Sequence, residues 1–137
     1  MAPSQTENPT ILVVEDQPDI LLLLQRLLRD IITGYDVVSI SSGADVAEQL
    51  RSHQISLVVT DYNMPGMNGL QVAELIKATS PETGIIILTA YATPELERRA
   101  RAIHVDSFLA KPFTVDRLEQ AIRDTMQSKR RPGMFAC

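Results

Sequence analysis

The sequence contains very little cysteine and few aromatic residues: it has one cysteine, Cys137, no tryptophan and 4% aromatic side chains. A single cysteine cannot form an intramolecular disulfide, so we expect a reducing compartment. No apolar run approaches the roughly 20 residues that a membrane-spanning helix needs. The segment MAPSQTENPT has neither a basic region nor an apolar core, which argues against a signal peptide. These absences predict a cytoplasmic protein that does not contact a membrane.

The charge balance is mildly acidic, with a net charge of −4 and an isoelectric point near 5.1. This balance argues against a dedicated nucleic-acid binder, and the basic cluster at 129–131 is too short to form a DNA-binding module. The 137 residues are enough for one domain. We expect a flexible segment over residues 1–9, a folded domain over residues 10–128 and a basic, flexible tail over residues 129–137.

The most informative stretch runs from residue 56 to residue 70 and reads SLVVTDYNMPGMNGL. Its first residues are apolar and rich in β-branched side chains, which is typical of a short strand buried on both faces. Asp61 follows directly and is succeeded by a cluster of turn-forming residues. The pattern therefore predicts a carboxylate at the carboxyl end of a central strand, where open α/β sheets place their chemistry. On this local pattern alone, Asp61 could equally serve only to cap the loop.

Strand patterns alternate with helix patterns along the chain. We predict strands over residues 10–14, 35–40, 57–60, 85–88 and 105–109, with helices beginning near residues 17, 42, 69, 94 and 115. Ser42 and Asp45 have the spacing of a capping box. Five repeats of this alternation predict an α/β fold with a doubly wound parallel sheet that is covered by helices on both faces.

Polar side chains follow four of the predicted strands. Glu15 and Asp16 end the first strand, Asp61 the third, Thr89 the fourth and Lys111 the fifth. Because the carboxyl ends of parallel strands meet at one edge of a sheet, we expect these side chains to lie together. Convergence from four strands favours a functional site over four unrelated caps.

The motifs ILVVED, VVTDYNMPGMNGL, IIILTA and FLAKPF occur in this order between residues 10 and 127. In order and spacing they resemble the receiver domain of response regulators in two-component signalling, particularly the single-domain regulators of the chemotaxis type. The resemblance implies a flavodoxin-like fold with five strands in the order 2-1-3-4-5. It also implies a switch that accepts a phosphoryl group from a sensor histidine kinase or a histidine phosphotransfer protein, and then acts on a downstream target protein.

The resemblance assigns roles to the residues at the sheet edge. Asp61 would be the nucleophile that becomes an aspartyl phosphate. Mg²⁺ would be bound by Asp16, Asp61 and the backbone carbonyl of Asn63, with Glu15 acting through a water molecule. Lys111 would provide a fixed positive charge for a phosphoryl oxygen, and the Thr89 hydroxyl would donate a hydrogen bond to another.

Further roles follow from the same resemblance. Thr89 and Phe108 would form the switch, in which the aromatic ring moves inward when the threonine is drawn towards the phosphoryl group. Asn63 and Tyr91 would tune the phosphoryl lifetime, since Asn63 can orient a water molecule that the bulky Tyr91 obstructs. The Lys111–Pro112 peptide bond is expected to be cis.

The sequence departs from the family pattern at two positions. Glu15 replaces the more usual aspartate. Because this position acts through water, we expect Mg²⁺ binding to survive the replacement, with an altered affinity. His104 occupies the place where a glycine commonly ends the helix before Phe108. A left-handed backbone is therefore expected at a residue with a side chain, which is energetically less favourable.

The first helix contains more leucine than a core-facing stripe requires. With a stripe of five residues facing the sheet, Leu22 and Leu23 must point away from it (the stripe consists of Ile20, Leu24, Leu27, Leu28 and Ile31). We expect Leu22 and Leu23 to be exposed and, together with Ile20, to dock the kinase or phosphotransfer protein. A weak homodimer that buries the same leucines is the alternative.

Three other functions were compared with this hypothesis. A phosphatase of the haloacid-dehalogenase type needs a second carboxylate two residues after the nucleophile, and Asn63 stands there instead. A degenerate receiver that only binds a partner would lack Asp61, Thr89 or Lys111, and all three are present. A nucleotide-binding fold needs a glycine-rich loop after the first strand, and none follows it. We therefore expect a switch whose only catalysis is its own Mg²⁺-dependent phosphorylation and dephosphorylation.

Overall fold

The computed structural model describes the backbone of residues 8–135 and the side chains of residues 8–128. Strands and α-helices alternate throughout this range, with one 3₁₀ turn at Gly43–Asp45. In chain order the elements are β1 (Thr10–Val14), α1 (Pro18–Ile31), β2 (Asp36–Ile40), α2 (Val46–Ser52), β3 (Ile55–Asp61), α3 (Gly69–Thr79), β4 (Gly84–Thr89), α4 (Pro94–Ala102), β5 (Ser107–Ala110) and α5 (Val115–Phe135).

The five strands form one sheet in the order β2-β1-β3-β4-β5, and every neighbouring pair is parallel. This architecture confirms the predicted doubly wound fold and its strand order. The order reverses between β1 and β3, so a crevice opens outside their carboxyl ends. Asp61 ends β3 at this reversal and pairs with Leu88 of β4.

The side chains of the central strands alternate between two apolar layers, as the two-residue period of a strand requires. Leu12, Val58 and Ile87 pack into a layer with the buried faces of α2, α3 and α4. Val13 and Val59 pack on the opposite face, where α1 and α5 cover the sheet. Since both faces are covered, the central strands are almost entirely buried, which explains their continuous apolar sequences.

Two local predictions from the sequence are wrong. Ser42 accepts a hydrogen bond from the Ala44 N–H at 3.1 Å, and its helix begins with a 3₁₀ turn, so no capping box forms there. The short hydroxyl bonds to the residue two positions on, which favours a tight turn over a helix start. A capping box instead joins Asn68 and Gln71 at the start of α3.

The second wrong prediction concerns the end of the last helix. The helix α5 continues to Phe135 and includes residues 129–135, which the breaker residues at 132 and 133 had assigned to a tail. The preceding segment is rich in good helix formers, so the helix extends through it. The prediction for the amino-terminal segment falls mainly on residues 1–7, which lie outside the described residues, as do residues 136–137.

His104 has the left-handed backbone that the sequence predicted, with a φ of 70°. A side chain in this conformation carries a steric cost of roughly 1–2 kcal/mol, because its Cβ approaches the carbonyl oxygen. The Val105 N–H beyond it donates to the Ala100 oxygen at 3.0 Å, which closes the end of α4. Within residues 8–135, no helix combines the length and the apolar character needed to cross a bilayer.

Candidate functional site

The parallel sheet brings the polar strand-end residues to one edge, as expected from their positions. Glu15 and Asp16 follow β1, Asp61 and Thr89 end β3 and β4, and Lys111 follows β5. Glu15, Asp61 and Thr89 are buried, whereas Asp16 and Lys111 are partly exposed. Charged side chains are seldom buried without partners, so their position beneath the crevice indicates a site.

Three carboxylates form a cluster at the centre of this edge. One carboxylate oxygen from each of Glu15, Asp16 and Asp61 lies within 4.8 Å of those of the other two. Carboxylates this close repel one another when ionised, unless a cation lies among them. The arrangement therefore requires positive charge to be stable at neutral pH.

Lys111 provides part of that charge. Its Nζ lies 2.6 Å from Asp61 Oδ1 and 3.7 Å from Glu15 Oε1. The contact with Asp61 is a close salt bridge, whereas Glu15 lies at the outer limit of ion-pair distance. The Lys111 N–H donates to the Thr89 oxygen at 2.7 Å, and the following peptide bond to Pro112 is cis. Lys111 is thus fixed between β4 and the carboxylates.

Glu15 is an acidic group of this cluster whose pKa is shifted by its surroundings. Only 1% of the residue is exposed, and this burial is the main cause that raises the pKa of its carboxyl group above 4.5. The Gln17 N–H bonds Oε2 at 3.2 Å and lowers the pKa, as does Lys111, while the neighbouring Asp61 and Asp16 raise it. The burial outweighs the favourable contacts, so ionised Glu15 lacks part of the stabilisation that water would give it.

The residues present fit a magnesium ion. Glu15 Oε1 is buried and accepts no hydrogen bond from the described residues, with only the Lys111 ammonium group 3.7 Å away, so it retains capacity for a cation or a water molecule. The donor set consists of oxygens only, which hard cations such as Mg²⁺ prefer. Asn63, whose backbone carbonyl the sequence analysis assigned to the same ion, lies in the exposed loop after Asp61.

The predicted switch residues lie on the neighbouring strands β4 and β5. Thr89 is completely buried, and its Oγ1 accepts a hydrogen bond from the Tyr91 N–H at 3.0 Å. Phe108 is partly buried and packs against the apolar layer that contains α4. The Tyr91 side chain is 71% exposed. The structure therefore couples Thr89 to the loop that carries Tyr91, and places Phe108 on the side of α4.

An apolar groove borders the site between α1 and the loop after β5. Lys111 is one of the lining residues, and its salt bridge to Asp61 connects the groove to the carboxylate cluster. The remaining lining residues are apolar and come from α1 and from the segments after β4 and β5 (Ile20, Leu23, Leu24, Leu27, Ala90, Pro112, Phe113 and Val115).

The groove separates the two leucines that the sequence analysis treated together. Leu22 and Leu23 are both exposed, at 59% and 56%, but only Leu23 lines the groove. The sequence analysis missed Ala90, Phe113 and Val115 as groove residues. The available signal was that they follow the same strand ends as Thr89 and Lys111, and so share their edge of the sheet.

Comparisons with known proteins agree with this geometry. The model of the response regulator receiver domain matches residues 11–123. The transcriptional regulatory protein GlrR of Escherichia coli (strain K12) is 38% identical over 117 residues, which cover 85% of this chain and 26% of GlrR. Sporulation initiation phosphotransferase F of Bacillus subtilis (strain 168) is 26% identical, with 89% of this chain and 97% of the relative covered.

The chain spans only a small part of several longer relatives. It covers 14% of the sensor protein GacS of Pseudomonas syringae, which is 34% identical to it. Among solved structures, a response regulator receiver domain protein from Clostridium thermocellum superimposes with a TM-score of 0.81 at 28% identity, covering 89% of this chain and 97% of that one. The chain belongs to the response regulator receiver domain family of two-component signalling systems.

Proposed function

We propose that this protein is a phosphorylatable receiver domain that accepts a phosphoryl group on Asp61 and acts as a cytoplasmic signalling switch. The observation that carries the proposal is the arrangement around Asp61 at the end of β3. Its carboxylate lies 2.6 Å from Lys111 Nζ and within 4.8 Å of two further carboxylates. A nucleophile, a fixed cation and a set of oxygen ligands are the parts that phosphoryl transfer to a carboxylate needs.

In the reaction, a carboxylate oxygen of Asp61 attacks the phosphorus atom of a phosphohistidine. A new oxygen–phosphorus bond forms while the bond from phosphorus to the imidazole nitrogen breaks, and the nitrogen keeps the electron pair. The products are an aspartyl phosphate and a free histidine. Lys111 neutralises charge on the transferred group, and its backbone is held to Thr89 of β4 before the donor arrives.

Asp16, Asp61 and the backbone carbonyl of Asn63 would hold Mg²⁺, with Glu15 acting in the outer sphere. When bound, the ion supplies positive charge to phosphoryl oxygens that the protein side chains alone do not balance. Glu15 Oε2 is anchored by the Gln17 N–H at 3.2 Å, while Oε1 accepts no hydrogen bond from the described residues and is available to this site. The protein's only catalysis is its own phosphorylation and dephosphorylation.

Thr89 and Phe108 form the switch. The Thr89 hydroxyl oxygen already accepts the Tyr91 N–H, so its own proton is available for a phosphoryl oxygen. Movement of Thr89 towards the phosphoryl group alters the packing beside α4, where Phe108 is only partly buried. Asn63 and Tyr91 set the phosphoryl lifetime, since both flank the approach of the hydrolytic water.

The partners are a sensor histidine kinase or a phosphotransfer protein, followed by a downstream target protein. The apolar groove at Lys111 supports docking of the phosphoryl donor, because a partner seated there lies beside Asp61. Ile20 and Leu23 contribute directly to this groove, and Leu22 lies outside it. A weak homodimer through the same leucines is the alternative occupant.

The test is labelling with radioactive acetyl phosphate in the presence of Mg²⁺. Asp61→Asn should abolish labelling, because an amide does not form the acyl phosphate. Asp124→Asn is a matched control, since Asp124 is an exposed carboxylate on α5 that bonds only to Gln120, at 2.8 Å, among the interactions described. Full labelling of Asp61→Asn, or no labelling of the unaltered protein, would contradict the proposal.

A further inference from the structure

The residue immediately before Asp61 is a buried threonine. Thr60 is completely buried in β3, and its Oγ1 donates a hydrogen bond to the Asp61 carbonyl oxygen at 3.0 Å. The residues preceding it, Leu57, Val58 and Val59, are all apolar and fully buried. Valine would fill the same space, and a buried hydroxyl is unfavourable unless it is bonded. The hydroxyl is therefore explained by its bond to Asp61 and not by packing.

The Asp61 backbone needs this support because it lies at the end of the sheet. The pairing of β1 with β3 ends at Val14 and Thr60, so Asp61 lies one residue beyond it. On the β4 side, the Tyr62 N–H donates to the Leu88 oxygen at 2.8 Å. The peptide after Asp61 is thus held by β4 on one side, and the Thr60 hydroxyl contributes a second fixed point.

Gly69 restrains the same carbonyl group. A Cβ at this position would lie 2.8 Å from the Asp61 oxygen, so only glycine allows α3 to begin this close to the strand end. The Gly69 N–H also donates to the Tyr62 oxygen at 2.9 Å. The carbonyl of Asp61 is consequently enclosed between the Thr60 hydroxyl and the first residue of α3.

We propose that Thr60 is a positioning residue for Asp61, whose hydroxyl fixes the Asp61 peptide and thereby the direction of the carboxylate. This inference rests on the proposed function of Asp61. The carboxylate must meet Lys111, two other acidic groups and the incoming phosphorus atom at once, and a small displacement changes all of these distances together. Misplacement of about 1 Å in an active site can cost on the order of a hundredfold in rate.

The experiment compares Thr60→Val, which removes the hydroxyl and keeps the shape, with Thr60→Ser, which keeps the hydroxyl. Thr125→Val is a matched control, because Thr125 is equally buried but its hydroxyl has no hydrogen-bond partner among the described residues. Three quantities are measured for each variant: the labelling rate with acetyl phosphate, the Mg²⁺ dissociation constant by calorimetry, and the thermal unfolding midpoint. If Thr60→Val does not fold, Thr60→Ala replaces it.

Thr60→Val should label about tenfold more slowly and bind Mg²⁺ several-fold more weakly. Thr60→Ser and Thr125→Val should match the unaltered protein in both properties. A Thr60→Val variant that changes only the unfolding midpoint would overturn the inference, as would a Thr60→Ser variant that is equally slow. If the unaltered protein does not label, the proposed function fails, while unchanged or weakened Mg²⁺ binding by Thr60→Val still decides whether Thr60 positions Asp61.

Discussion

The amino and carboxyl ends of the strands, here called the amino edge and the carboxyl edge of the sheet, differ in how their buried polar groups are stabilised. At the amino edge, the Thr83 hydroxyl donates to the Ile55 oxygen at 3.0 Å, and Ser80 Oγ lies 2.7 Å from Thr83 Oγ1. These groups are neutral and bonded to one another. At the carboxyl edge, three carboxylates lie close together, Lys111 pairs with two of them, and Glu15 Oε1 is buried without a hydrogen bond from the described residues.

The difference shows how one sheet can separate stability from function. Neutral hydrogen bonds at the amino edge stabilise the fold without any ligand. The carboxyl edge is unfavourable by itself, because burial and, to a smaller extent, the neighbouring carboxylates oppose the ionisation of Glu15 and raise its pKa. A bound cation would relieve that cost, so under the proposed function the edge that destabilises the free domain is the one that binds Mg²⁺. Substitutions at the two edges should therefore have opposite consequences.

The largest effect is expected from Glu15→Gln at the carboxyl edge. Loss of an acidic group beside a metal ion typically weakens binding about 10- to 100-fold, so the Mg²⁺ dissociation constant should rise by this amount. Calorimetric titration measures it. Glu15→Asp, which restores the more usual family residue, serves as the control and should retain tight binding. Equal affinity in Glu15→Gln and the unaltered protein would contradict the assignment of Glu15 to the ion.

In the metal-free domain, Glu15→Gln should also change how the free energy of unfolding depends on pH. Because the folded pKa of Glu15 is raised above the ordinary value of 4.5, the folded state binds the proton more tightly than the unfolded state does. The resulting stability is fully present below pH 4.5 and is lost as the pH rises through the folded pKa. Glu15→Gln should remove this loss, so its free energy of unfolding at neutral pH should be higher, as denaturant titrations across this window would show.

Thr83→Val tests the amino edge and should lower the free energy of unfolding without changing Mg²⁺ binding. It leaves the Ile55 oxygen buried without its donor, which costs about 1–3 kcal/mol in the free energy of unfolding. The Mg²⁺ dissociation constant should not change, because Thr83 lies at the other end of the strands. Urea unfolding and calorimetry measure the two quantities, and Thr83→Ser is the control that keeps the hydroxyl. Weakened Mg²⁺ binding would show that the edges are not independent.

Much of this contrast could be predicted from the sequence. Alternation of strand and helix patterns predicted the parallel sheet, because buried parallel strands and amphipathic helices have distinct periods, and the resemblance to receiver domains added the strand order. The positions of Glu15, Asp61 and Lys111 followed from the strand ends alone. The sequence could not show that Glu15 Oε1 accepts no hydrogen bond from the described residues, since hydrogen bonds across the crevice depend on side-chain directions. The role of Thr60 could not be predicted either, because threonine is common in strands and the sequence does not show what its hydroxyl contacts.

The end of α5 and the start of α2 show a different limit. Proline and glycine at 132 and 133 indicated a tail, yet the helix continues to Phe135. Ser42 and Asp45 had the spacing of a capping box, yet Ser42 bonds to Ala44 instead. A capping signal is worth about 1 kcal/mol and an internal proline costs about 3 kcal/mol, so neither signal alone decides whether a helix starts or ends.

The smallest predicted effect is on phosphotransfer from the kinase, and it is tested with two neighbouring leucines on the surface beside the carboxyl edge. Leu22 and Leu23 are adjacent on α1 and almost equally exposed, at 59% and 56%, yet only Leu23 lines the groove that leads to Lys111. If the phosphoryl donor occupies this groove, Leu23→Asp places a charge against an apolar surface that the partner must cover. Phosphotransfer from the kinase should then fall about three- to tenfold, which corresponds to the burial of part of one side chain.

Leu22→Asp should leave phosphotransfer nearly unchanged, because its side chain lies outside the groove on the same helix. Both variants should retain full labelling by acetyl phosphate, since neither touches Asp61 and the small donor needs no docking surface. Equal loss of both activities in Leu23→Asp would mean that the leucine supports the fold. Equal loss of phosphotransfer in both variants would place the donor across the outer face of α1. A change in sedimentation for either variant would instead identify a second copy of the chain as the occupant of this surface.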